Sequence, residues 1–137
     1  IAATGPGNLF TLPEPDGWTN TSTGDFLRYE DPATGSIVHA LASETSDVQD
    51  GISAALNTID PDFALPSLVT QEIDVLSMVW VQNVYLDFST GELIIALATE
   101  RDGVVVTLVV YTDEASLMTI SPVFDLLLTG ITIASPD

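Results

Sequence analysis

The stretch from residue 93 to residue 112 decides the fold, and it reads LIIALATERDGVVVTLVVYT. Two apolar runs rich in β-branched residues flank the pair Asp102-Gly103, which is the strongest short-range sequence signal for a β-hairpin. If these two residues form the turn, Leu97 lies directly opposite Leu108. We therefore predict two long antiparallel strands joined by a two-residue turn.

Both faces of this predicted hairpin are apolar. A sheet with one face in water alternates apolar with polar residues, so both faces here must be covered by other elements. One face carries the small residues Ala96, Ala98 and Thr107, which would let a helix approach closely. The larger residues of the other face are Ile95, Leu97, Val106, Leu108 and Val110.

The first helix predicted to cover the hairpin runs from Asp47 to Ile59. Ser46 and Gln49 have the spacing of a capping box, with Ser46 as the N-cap, and Pro61 ends the helix. Acidic residues in its first turn suit the helix dipole. A single stripe at 3.6-residue spacing contains Val48, Ile52, Ala55, Leu56 and Ile59.

A second helix is predicted after residue 112, with Asp113 as its N-cap and Gly130 as its stop. Pro122 falls inside it, so the helix either kinks there or restarts with Ser121 as a new cap and Pro122 at its first position. Its apolar stripe contains Leu117, Ile120, Phe124, Leu127 and Leu128.

The remaining pattern is strand-rich. A second hairpin is predicted, with a turn at 31–35 that places Leu27 opposite His39 and Tyr29 opposite Ile37. Residues 1–8 are interpreted as a flexible leader and residues 9–137 as a single α+β domain. The predicted fold is a three-layer sandwich with a mainly antiparallel sheet, the hairpin 93–112 at its centre and a helix on each face. Its other strands are predicted at 9–12, 26–30, 37–41, 68–73 (an edge strand), 79–88 and 131–133.

The charge balance limits the classes of partner. The chain of 137 residues has 20 acidic residues against two arginines and no lysine, which gives a net charge of −18. Such a surface repels nucleic acid and anionic lipid, so we expect neither as a partner. It suits a halophile, because salt screens self-repulsion; the alternative is a secreted protein of ordinary habitat. No apolar run approaches the ~20 residues that a membrane span needs.

Cysteine is absent, which excludes a disulfide framework, a thiolate metal site and a cysteine nucleophile. The lysine-free, threonine-rich composition favours an extracellular or cell-surface location.

The order of the predicted elements resembles the PsbP-like fold, which is named for an extrinsic protein of photosystem II. The resemblance lies in a strand containing Phe10, a Gly17-Trp18 pair, a strand ending in Asp31-Pro32, one helix, a long antiparallel meander and a C-terminal helix. It spans residues 10–133 and implies an α+β sandwich.

A closer match is to the non-catalytic domain at the N-terminus of secreted serine hydrolases of the β-lactamase family. The shared features are Gly-Trp near the start, GISAAL at 51–56 running into DPDF at 60–63, and WVQNVY at 80–85. This resemblance implies an accessory role. The hydrolase itself is not represented, because its Ser-x-x-Lys motif needs a lysine.

Catalytic candidates are few. His39 is the only histidine, and as a general base it would need a nucleophile or an orienting carboxylate nearby. The predicted register puts Glu30 opposite Ser36 and not opposite His39, so we interpret His39 as a structural strand residue. The nearest pairs of carboxylates are the candidates for glycosidase-type hydrolysis or for binding calcium. Both pairs lie at predicted helix ends, where acidic residues are common as caps. These pairs are Asp60 with Asp62, and Asp113 with Glu114.

The sequence therefore predicts no catalytic, cofactor or metal residues. The preferred hypothesis is a non-catalytic extracellular binding or accessory domain that acts on a protein partner through its surface. The alternative is a structural subunit that self-associates through strand edges in a secreted assembly or filament. A small carboxylate-based hydrolase is the third.

Overall fold

The structure, a computed structural model, describes residues 2–76 and 78–133. A short 3-10 turn covers Pro6–Asn8, and the helices are α1 (Val48–Ile59) and α2 (Glu114–Gly130). The strands in this part of the chain are β1 Ala2–Thr4, β2 Phe10–Pro13, β3 Thr19–Asn20, β4 Leu27–Glu30, β5 Ile37–Ser43, β6 Val69–Val75, β7 Met78–Asp87, β8 Glu92–Arg101, β9 Val104–Asp113 and β10 Thr132–Ile133.

The predicted hairpin is confirmed as the centre of the main sheet. That sheet has seven strands in the order β3-β4-β5-β9-β8-β7-β6, and every neighbouring pair is antiparallel. Leu97 lies opposite Leu108, as predicted. Asp102 and Gly103 form the turn with φ angles of 55° and 83°, the two positive values that a type I′ turn requires.

The helix α1 covers the small-residue face of the hairpin. Its buried side chains Ile52, Ala55 and Leu56 pack on Ala96 and Ala98. The close approach also uses Gly51, since a Cβ there would lie 2.4 Å from Cγ1 of Val105. A helix can therefore sit on this face only because both surfaces are small.

The helix α2 covers the other face, beside a second, small sheet. Ile120 and Leu127 of α2 are buried against the large-residue face of the hairpin. The small sheet has the order β1-β2-β10, and Phe10 of β2 joins the same core. The two helices on opposite faces confirm the three-layer α+β sandwich.

The register predicted for β4 and β5 is wrong by one residue. His39 lies opposite Arg28 and Glu30 opposite Ile37, whereas the sequence analysis paired Leu27 with His39. The connection between the two strands is therefore one residue longer than predicted, 31–36 instead of 31–35. Within it Gly35 adopts a φ of 77° and its amide donates to the Asp31 carbonyl.

The structure also corrects the predicted N-cap of α1. The cap is Asp47, not Ser46, because one oxygen of the Asp47 side chain accepts hydrogen bonds from the amides of Gln49 and Asp50. Thus the first helical residue is Val48, one position later than predicted.

The predicted alternative of a restart capped by Ser121 is wrong, because α2 is one helix from Glu114 to Gly130 with Pro122 inside it. Pro122 is exposed, as is the preceding turn at Met118. A carbonyl that loses its helical hydrogen bond there can bond to water, so proline is tolerated. The helix ends at Gly130, as predicted, and a Cβ at this residue would lie 2.6 Å from Cγ of Pro13.

The segment interpreted as a flexible leader contains a strand. Ala2–Thr4 pairs with β2 of the same chain, with Ala3 opposite Leu12. The other edge of β2 pairs with Thr132–Ile133, so the first and the last described strands belong to one small sheet. The domain boundary at residue 9 stays a prediction.

We predict that Gly51→Ala destabilises the protein, although alanine is normally favoured over glycine inside a helix. The new Cβ would overlap Val105, and such overpacking typically costs about 1–3 kcal/mol. Urea unfolding of Gly51→Ala, Val105→Ala and the double variant measures this. The double variant should lose less than the sum of the single losses, and simple additivity would contradict the proposed contact.

Candidate binding surface

The single histidine is part of the core between the main sheet and α1. His39 is 4% exposed, its Nδ1 lies 3.2 Å from the carbonyl oxygen of Val109, and its ring contacts Phe26 and Tyr111 edge-on. Its pKa is lowered from 6.5 to about 4, mainly by burial and to a smaller extent by the charge of Arg28, against the opposing effect of the bond to Val109. His39 is therefore neutral at pH 7, and its imidazole ring is buried between Phe26 and Tyr111, which suits a structural role.

The two carboxylate pairs serve as caps and turn residues. Asp60 accepts a hydrogen bond from the amide of Asp62 just after α1, and Asp113 accepts one from the amide of Ser116 at the start of α2. Glu114 lies in the first turn of α2, where the helix dipole favours an anion. The structure thus gives each pair a local structural role.

One of these pairs also borders a cleft that the sequence analysis missed. Asp60 and Asp62 line a cavity of about 300 Å³ together with Asp87, Glu92 and Tyr111. Asp87 lies opposite Glu92 on the neighbouring strand, and like charges in that position are destabilising. Burial raises the pKa of Glu92 and the charge of Asp87 adds to this, while hydrogen bonds from Ser89 lower that of Asp87.

This cleft offers no base beyond its carboxylates. Burial raises the pKa of Tyr111 to about 12, with smaller contributions from Asp60 and Glu92, so its hydroxyl stays protonated at neutral pH. Within residues 2–76 and 78–133, no three histidine, cysteine or acidic side chains are arranged to hold a metal ion.

A groove on the opposite side of the main sheet is almost entirely apolar. It lies between α2 and the strands β6, β7 and β8, and its volume is about 280 Å³. It exists because α2 packs against β9 and β2 and leaves the outer strands only partly covered. The lining residues are Ile73, Gln82, Val84, Leu93, Ile95, Leu97, Leu117, Phe124 and Leu128, of which only Gln82 is polar.

The groove is bordered by the edge strand β6, which the sequence analysis predicted at 68–73. Among the described strands, its one neighbour in the sheet is β7. Alternate residues of a strand point to opposite faces, so Val69, Gln71, Ile73 and Val75 share the groove face, and Gln71 is the polar one among them. Val69 is 47% exposed. The apolar surface therefore continues from the groove to the sheet edge.

The other face of β6 is polar and is held by the buried amide of Asn83. The Thr70 hydroxyl donates to Asn83 Oδ1 at 2.9 Å, and the Asn83 amide donates to Gln49 Oε1 of α1 at 2.8 Å. This network ties the edge strand to α1. Glu72 and Asp74, on the same face as Thr70, are exposed, and neither forms an ion pair with any described residue.

No helix in the described ranges combines the length and the apolar character needed to cross a membrane.

Comparisons with known proteins identify the fold. The chain matches no protein-family model and no curated protein sequence. Its structure is similar to that of cyanobacterial PsbP (CyanoP) from Synechocystis sp. PCC 6803, with a TM-score of 0.61, 16% identity, and coverage of 91% of this chain and 86% of that one. This supports the PsbP-like fold that the sequence resemblance implied.

Two further structures are similar. The Saccharomyces cerevisiae Ran-binding protein Mog1p has a TM-score of 0.60 at 10% identity, over 93% of this chain and 91% of that one. A Bacteroides thetaiotaomicron protein has a TM-score of 0.64 at 11% identity, but the match covers 98% of this chain and only 48% of that one. The fold is thus PsbP/Mog1-like, and the finer resemblance to the domain of β-lactamase-family hydrolases is without support.

Proposed function

We propose that this chain is a non-catalytic binding domain and that the apolar groove between α2 and the outer strands receives a protein partner. The groove carries the proposal, because exposed apolar surface of this kind marks interaction sites in soluble proteins. Two similar folds, PsbP and the Ran-binding protein Mog1p, are consistent with a binding or accessory role.

The location and the attachment of this domain are part of the proposal. We propose that it acts outside the cell, on the basis of its lysine-free, threonine-rich composition, and that its acidic surface is an adaptation to salt. An accessory role beside another domain is consistent with the match that covers 48% of the Bacteroides protein.

A random peptide library panned against the purified chain tests the groove. We expect enriched peptides that carry apolar side chains and bind much less to Val84→Glu, which places a charge in the groove. The matched control is Val79→Glu, which changes the other face of the same strand at a valine that is 49% exposed. Enriched peptides that bind both variants equally would overturn the proposed site.

Enzyme assays test the non-catalytic part of the proposal. The purified chain is incubated with ester, β-lactam, peptide and glycoside substrates, beside His39→Ala and Glu92→Gln. We expect no turnover by any of the three. Turnover that is lost in Glu92→Gln would instead identify the acidic cleft as a carboxylate active site, and turnover lost in His39→Ala would identify a histidine-dependent one.

A further inference from the structure

The edge strand β6 has backbone hydrogen-bonding capacity on its outer side. It is seven residues long, it pairs with β7 and with no other described strand, and the first four of its residues are exposed. An exposed strand of this length is a template for pairing with another extended chain. Proteins use such edges to bind peptides, with main-chain hydrogen bonds supplying affinity and alternate side chains supplying specificity.

The two faces of β6 differ in a way that selects such a peptide. On the α1 side it presents Glu72 and Asp74, which no described cation neutralises. On the α2 side it presents Val69, Gln71 and Ile73, of which Ile73 also lines the apolar groove. A strand laid against β6 would therefore meet acidic side chains on one face and mainly apolar side chains on the other.

We propose that the partner binds as an extra strand on β6, through an extended segment in which basic side chains alternate with apolar ones. This inference rests on the proposed function and specifies its partner. The basic side chains lie beside Glu72 and Asp74, as oppositely charged neighbours across a strand pair do. The apolar side chains lie beside Val69 and Ile73, at the mouth of the groove.

A second copy of this chain does not fit the same edge. Pairing β6 with another β6 brings the Glu72 and Asp74 side chains of both copies onto neighbouring positions, where like charges repel. Each copy also carries a net charge of −18. The charge complementarity therefore favours a basic segment of a different protein over self-association through this edge.

Three synthetic nine-residue peptides test the inference by fluorescence anisotropy with the full chain. The first alternates lysine with valine, the second has the same composition in an order that gives an amphipathic helix, and the third replaces lysine with glutamate. We expect the first to bind at least about tenfold more tightly than the others, from the sum of cross-strand charge and apolar pairs.

Backbone N-methylation of the alternating peptide tests strand pairing directly. In an antiparallel ladder, alternate amides of an added strand point to its neighbour and the rest point away. Methylation of one alternate set should abolish binding, and methylation of the other set should be tolerated. A helical or purely side-chain contact would not show this dependence.

Protein variants locate the binding edge. Glu72→Gln/Asp74→Asn should weaken binding of the alternating peptide about tenfold. Asp16→Asn/Asp25→Asn is the matched control, since it changes the net charge equally at two exposed positions and should have little effect. Equal effects of the two double variants would mean that only the overall charge matters, which overturns the inference.

The outcomes also separate this inference from the proposed function. If peptides bind and lose affinity in Val84→Glu, but residue order and methylation pattern make no difference, the groove binds a partner in another way and strand addition is wrong. If none of the three peptides binds, the inference is wrong, whatever the library selects. A chain that dimerises at low salt and returns to monomer in Glu72→Lys/Asp74→Lys would likewise overturn it in favour of self-pairing.

Discussion

Leu108→Ala is expected to destabilise the domain by about 2–5 kcal/mol, the range for large-to-small substitutions in a packed core. Leu108 is fully buried at the middle of β9, opposite Leu97 and beneath α2. The site is enclosed by strands on both sides, so the structure can relax only partly into the cavity. Urea unfolding monitored by circular dichroism measures the change in the free energy of unfolding.

The control for this prediction is Leu126→Ala, the same substitution at a leucine of α2 that is 41% exposed. Alanine is a good helix former, so we expect a loss below about 1 kcal/mol there. A loss that small at Leu108 would contradict its central place in the core.

The centre of the fold is predictable because its signals are local. Asp102 and Gly103 adopt the positive φ angles that their sequence favours, and this turn sets the register of the two longest apolar runs. The small side chains Ala96 and Ala98 then identify the face on which α1 packs. Each step uses residues that are close in sequence.

Features that depend on distant residues were not predictable. Phe10 pairs with Ile133 across nearly the whole chain, and no pattern near either residue indicates that contact. The difference between the predicted and the observed register of β4 and β5 has another cause. The sequence indicates a turn near 31–35, but it does not indicate the conformation of Gly35, which helps to set the number of residues in the connection.

The candidate binding surface was predictable only in part. The edge strand was recognised at 68–73, since its pattern is less apolar than that of the hairpin. The groove was not, because it depends on where α2 crosses the sheet. One signal was present: Gln82 shares its face of β7 with Val84 and Leu86, and a polar residue in that otherwise apolar set indicates a face that is only partly buried.

The pH dependence of stability is expected to show the burial of His39. Its pKa is lowered from 6.5 to about 4 in the folded state, mainly by burial and further by Arg28, so between these values the unfolded chain binds a proton that the folded chain does not. The free energy of unfolding therefore falls as pH falls through this window. From pH 7 to pH 5 the loss due to His39 is about 2 kcal/mol.

Comparison with His39→Gln isolates this contribution, because the many carboxylates of the chain titrate in both proteins. Glutamine keeps a hydrogen-bond donor for the Val109 carbonyl but has no proton to gain in this range. Urea unfolding is measured at half-unit steps from pH 7 to pH 5. The free energy of unfolding of the native protein minus that of His39→Gln should decrease steadily over this range and be smallest at pH 5. The protonation of carboxylates relieves repulsion as pH falls and so acts in the opposite direction, equally in both proteins. Parallel pH profiles for the two proteins would mean that His39 titrates normally in the folded state and is not enclosed as the structure shows.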